Sequence, residues 1–141
     1  MRHAWRYSIA ILAALAGGCK EELGPEQFKT TRVTGFVHEG IHPVGGGWIE
    51  FAPVGGTTGD IRSAPLRPDG TFDAGKVPVG RNVVGFVQSN INMPGGKAFF
   101  HTFRSPIRRD IPANSTVRLD INLLEEAIRY NTLQGQEAAP P

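Results

Sequence analysis

The chain of 141 residues carries 15 Lys+Arg against 13 Asp+Glu and is 40% apolar, which leaves room for one globular domain of ordinary size and not for two. Its one cysteine excludes an internal disulfide framework. A formal net charge of +2 with no Lys/Arg run of five or more residues argues against a nucleic-acid surface.

The first element reads as a leader. Arg2, His3 and Arg6 make a basic start, residues 7–16 carry no charge, and Ala16, Gly17 and Gly18 are small residues directly before Cys19. This is the three-part layout of an export signal. At about 20 apolar residues for a membrane crossing, the uncharged stretch is too short to remain as a spanning helix and is expected to be cleaved. Loss of Arg2 and Arg6 with it would leave the remainder formally neutral.

The small residues ending in Cys19 resemble the lipobox of bacterial lipoproteins, with Leu15 one place further out than that pattern prefers. The resemblance implies a signal peptide over 1–18, a diacylglycerol thioether at Cys19 and acylation of the new amino terminus, with no other cofactor. Two or three acyl chains would hold the protein on a membrane almost permanently, since each buried CH₂ adds about 0.8 kcal/mol. It also implies an extracytoplasmic place in the cell envelope. In proteobacterial lipoproteins, a residue other than aspartate after the cysteine, here Lys20, implies release from the periplasmic face to the outer membrane. The alternative is a secreted chain with one free thiol. Residues 19–30 are polar and broken by Gly24-Pro25, a tether that would reach roughly 40 Å if fully extended.

From Thr31 onward Gly and Pro recur every few residues. Between these turns lie TRVTGFVH, GWIEFAP, IRSAPLR, TFDAGKV, RNVVGFVQ, SPIRRDI and TVRLDINL, seven short segments that predict an all-β sandwich. In GWIEFAP the alternation puts Ile49 and Phe51 inside, Glu50 outside and Trp48 at the sheet margin. RNVVGFVQ is apolar on both faces, which predicts a central strand covered twice, with Gly85 admitting a close neighbour. Pro68-Asp69-Gly70 predicts a tight turn. Val117, Leu119, Ile121 and Leu123 alternate with Arg118, Asp120 and Asn122, a strand with one wet face. After Leu124 the alternation stops. Glu125 and Arg129 are spaced for a weak helical pair, and residues 125–141 are expected to be a mostly disordered tail.

Gly35-x-Val37, Pro43-Val44, Asp69-Gly70-Thr71-Phe72 and Val77-Pro78-Val79-Gly80 resemble the motifs of the carboxypeptidase regulatory-like domain. That family has a transthyretin-like (prealbumin-like) fold, and residues 105–123 resemble the closing hairpin of small planctomycete-type lipoproteins. The resemblance covers roughly 31–124. It implies a seven-stranded Greek-key β-sandwich with a non-catalytic binding or structural role.

Chemistry is sparse in the remaining motifs. His38 and His42 have the i, i+4 spacing of helical zinc ligands, but Glu39-Gly40-Ile41 and Pro43 read as a turn. No metal site is expected there unless the loop folds His38, Glu39 and His42 together. Hydroxyisourate hydrolases share the transthyretin-like fold, yet their C-terminal Tyr-Arg-Gly-Ser is absent, and no enzyme activity is expected. The glycine runs lack the residues of a phosphate loop. Residues 90–105 hold Lys97, Phe99, Phe100, His101, Phe103 and Arg104. Exposed, this mixture favours an interface with an envelope protein or a glycan; buried, its phenylalanines would complete the core. Exposed aromatics would mark a carbohydrate-binding module, and a histidine cluster beside an arginine would mark a small hydrolase. Oligomeric state has no signature in the sequence.

Metabolic palmitate labelling tests the leader reading. Label is expected in the wild type and absent from Cys19→Ala, and equal labelling of both would refute lipidation at this residue.

Overall fold

The computed structural model describes residues 28–93, 96 and 100–137. The expected signal peptide, Cys19, most of the tether, Lys97, Phe99 and the last four residues of the expected tail lie outside the described residues.

Two four-stranded sheets pack face to face as a β-sandwich. Each of the seven predicted segments contains a strand: β1 (Thr30–Glu39), β3 (Trp48–Pro53), β4 (Arg62–Pro65), β5 (Thr71–Pro78), β6 (Gly80–Val87), β7 (Arg108–Ile111) and β8 (Thr116–Asn122). A two-residue strand, β2 (His42–Pro43), adds to them after the turn at Gly40 and Ile41. β1 pairs with β5 and β2 antiparallel and with β8 in parallel, forming the first sheet. The second has the order β4-β3-β6-β7.

The alternation predicted from sequence sets the inner faces. Val33, Val37, Phe72, Val77 and Ile121 of the first sheet and Ile49, Phe51, Val84, Phe86 and Ile111 of the second are buried in one core. Phe51 and Phe72 meet with ring centroids 6.0 Å apart. Glu50 remains on the opposite face of β3, and Trp48 is 45% exposed.

Two of the four links that carry the chain between the sheets are short turns. At Pro68-Asp69-Gly70 the Gly70 amide donates to the Arg67 carbonyl (2.8 Å). Asp69 Oδ1 accepts from the Thr71 hydroxyl (2.7 Å) and amide (3.0 Å). These bonds, the hydroxyl's foremost, hold the Asp69 carboxyl below its usual range. The second turn links β5 to β6 through Val79 and Gly80, whose φ of +117° is open to glycine and strained for other residues. Buried Asn82 fastens this link by donating to the carbonyls of Pro78 (2.8 Å) and Gly80 (3.0 Å).

Three expectations are corrected. Residues 105–123 do not form a hairpin: β7 pairs with β6 in the second sheet while β8 crosses to the first. There Val117, Leu119 and Ile121 register with Val33, Gly35 and Val37, so the apolar faces match. The segment after β8 is α1 (Leu123–Glu137) where a disordered tail was expected. A helix this short is marginal by itself, but Leu123 and Glu126 are buried and Ala127 and Tyr130 half-buried, giving the helix one anchored stripe. Asn122 caps it, its Oδ1 accepting the Leu124 amide (3.2 Å) and its Nδ2 donating to Glu125 (2.9 Å). Glu125 therefore serves the cap, and Arg129 lies instead beside Glu126 at 3.7 Å.

β6 is the most enclosed strand, with Asn82, Val83, Val84, Gly85 and Phe86 all buried. Its inner face meets the core, and the 100–107 segment crosses its outer face. A Cβ on Gly85 would lie 2.2 Å from the Thr102 Cα, so a side chain at 85 and this crossing are incompatible. Gly85→Ala is expected to cost about 1–3 kcal/mol or more as overpacking against backbone, and Phe72→Ala about 3–5 kcal/mol as lost core. Gly75→Ala, with nothing within 4 Å of its new methyl, should be tolerated. Urea denaturation of the three variants checks this ranking.

Candidate functional site

The crossing segment divides the residues that the sequence grouped together. Beyond Val83 the edge of β6 is continued by two carbonyls, Ile107 accepting from Val84 N (3.0 Å) and Phe100 accepting from Phe86 N (2.6 Å). Phe100 is fully buried, its ring set edge-on to Phe86 at 6.0 Å. It is a core residue, which removes it from the candidate partner-binding set. Between these two points the chain arches over the sheet as a short 3-10 turn, Thr102–Arg104. The Thr102 hydroxyl donates to Glu50 Oε2. The arch leaves His101, Phe103 and Arg104 exposed, Phe103 by 72%.

Trp48 joins this face through β-strand alternation, two positions before Glu50 and directly across from Val87. Next to it, residues 88–92 form a ridge between two clefts. One, of about 230 Å³, has Phe86, Val87 and Ile91 with Gln88, Ser89 and His101. The other, of about 440 Å³, is lined by Glu39, His42, Pro43, Val44, Asn90 and Asn92. Gln88 holds a left-handed φ of +55°, a conformation that costs a non-glycine residue about 1–2 kcal/mol. The sequence placed its candidates in the 90–105 stretch and missed Trp48, Gln88 and Ser89. Trp48 carried a signal, as a large aromatic at a sheet margin.

The two candidate ligand histidines are separated. His42 lines the larger cleft, whereas His38 lies under a third cleft with Arg109, Asp120 and Glu126. His38 stacks on Phe36 at 5.1 Å, with Nδ1 2.6 Å from the Gly40 carbonyl and Nε2 2.9 Å from Asp120 Oδ1. Arg109 Nη2 donates to the buried Glu126 Oε1 at 2.5 Å. Both ring nitrogens and this guanidinium are thus engaged within the protein. Among the described residues no three His, Cys, Asp or Glu side chains are grouped to hold a metal ion.

No family model, curated protein or solved structure matches the chain.

The Arg109–Glu126 pair ties α1 to β7. Removing a partner from such a pair strands a largely buried charge. Glu126→Ala is expected to cost about 2–3 kcal/mol and to reduce helical signal, while Glu125→Ala, exposed in the first helical turn, should cost less than about 1 kcal/mol. Equal urea midpoints for the two variants would refute the role of Glu126 as the anchor.

Proposed function

We propose that this protein is a lipid-anchored, extracytoplasmic lipoprotein of the cell envelope whose domain is a non-catalytic binding module. The fold is read as the seven-stranded Greek-key sandwich of the transthyretin-like carboxypeptidase regulatory-like domains, with β2 as an addition. The anchor reading comes from the leader and Cys19. One observation of geometry supports the binding role: the clefts and the chain entry lie at opposite ends of the sandwich. The Lys29 carbonyl accepts from Val79 N at the β5–β6 link, so the chain enters beside the start of β6. The ridge follows the other end of β6, and Glu39 closes the far end of β1. Eight residues of strand put about 26 Å between the two ends. A module tethered through residues 19–30 would thereby hold its clefts away from the membrane.

A hydrolase of the hydroxyisourate type would use a free histidine beside an arginine. The His38–Arg109 cleft has those residues, but their polar atoms are bound to Gly40, Asp120 and Glu126, which supports the non-catalytic reading. The arch and ridge instead present exposed aromatic and polar side chains, Phe103, His101 and Gln88 among them, the composition of an interaction surface.

Crosslinking and affinity purification of the full lipidated chain from intact envelopes tests the proposal. A bound component is expected with the wild type and lost in Trp48→Ala/Phe103→Ser, a variant whose changes are exposed and whose melting temperature should stay within a few degrees. Identical capture by both proteins, or none by either, would overturn it.

A further inference from the structure

We propose that the ligand of this face is a neutral glycan bound across the 88–92 ridge, an inference that rests on the binding-module reading above. The side chains at the ridge are amides, a hydroxyl and an imidazole: Gln88, Ser89 and His101 on one side, Asn90 and Asn92 on the other. Such groups both donate and accept hydrogen bonds, as sugar hydroxyls do. Among the described residues no lysine or arginine lines either cleft, the exposed Arg104 of the arch lying outside both linings, so a phosphate or a polyanionic chain would find no counter-charge within them. Among the described residues Glu39 is the only carboxylate along them, too little for a bound cation.

Apolar surface is present where a pyranose ring needs it. Phe86, Val87 and Ile91 give the smaller cleft apolar walls. Trp48, half-exposed and paired across from Val87, offers an aromatic ring beside it. The C–H face of a sugar packs on such rings while its hydroxyls reach the amides. The shallow clefts on either side of one ridge suit an extended chain. Gln88 is also held in its left-handed conformation where β6 ends and the ridge begins, and backbone strain of this kind concentrates at functional positions.

The chain contains two tryptophans, Trp5 and Trp48. Trp5 lies in the leader expected to be removed, so the lipidated chain carries Trp48 alone, and Trp5→Phe silences any uncleaved precursor; fluorescence therefore reports on Trp48. The experiment titrates it with neutral hexasaccharides of glucose, xylose, mannose and N-acetylglucosamine, and with hexagalacturonate as the anionic control. A saturable shift with a neutral hexasaccharide and none with hexagalacturonate is expected. Gln88→Gly removes the amide at a position already in the backbone region that glycine favours, so it should keep its melting temperature and weaken binding about tenfold, the scale of one good hydrogen bond. No shift with any neutral sugar, a shift with the anionic one only, or equal affinity in Gln88→Gly would overturn the proposal. If the neutral sugars fail while the envelope crosslinking still captures a component through Trp48 and Phe103, the glycan assignment falls and the binding module stands. If both fail, both readings fall.

Discussion

A strand apolar on both faces must be covered twice, and that requirement at β6 organises the second sheet. The inner cover comes from the opposite sheet. The outer cover must come from the chain itself, and the 100–107 segment supplies it by leaving the sheet edge at Phe100, passing over Gly85 at Thr102 and rejoining the edge at Ile107. The missing side chain at Gly85 lets backbone lie on backbone there. Neighbouring residues in the arch acquire opposite fates from this path: Phe100 is sealed in the core and Phe103 is turned to solvent. The exposed aromatic face is thus a by-product of satisfying a buried strand.

The first sheet depends on β1 in a comparable way, because all its other strands pair with that one. β8 lies parallel to β1, an arrangement that needs a crossover and cannot come from a tight hairpin. The crossover comes from the second sheet through residues 112–115, held by a bond from the Thr31 hydroxyl to the Asn114 carbonyl. On the outer face of this sheet Arg32 and Asp73 form an exposed ion pair, and the guanidinium's hydrogen bond holds the Asp73 carboxyl below its usual range. Such exposed pairs contribute little to stability. The Arg109–Glu126 pair is different in kind, since Glu126 is buried and the contact joins a helix to the far sheet. His38 and Asp120 belong to this joint between elements, which accounts for their proximity on structural grounds.

The strands were readable from residues 31–123 because period-two alternation and Gly/Pro punctuation are local properties. Even the special status of RNVVGFVQ was legible, since no solvent-facing side of a strand would carry Val83 and Val87 beside Val84 and Phe86. The helix was less legible, though its signal existed: Asn122-Leu-Leu-Glu125 has the spacing of a capping box, obscured by the polar residues that follow. What the helix needs for stability is Arg109, distant in sequence, and no local pattern reports such a partner.

By itself the sequence determined the strand positions, the turns and which strand must be enclosed, because each follows from the chemistry of adjacent residues. It also assembled the leader and Cys19 into one expectation about location. Only the tertiary structure decided which sheet each strand joined, which phenylalanine faced water, and that Gln88 and His101 would line one cleft with Trp48 paired across from its Val87. Those outcomes depend on pairings between residues far apart in the chain, and the free energy of such pairings is set by packing that exists only once both sheets have formed.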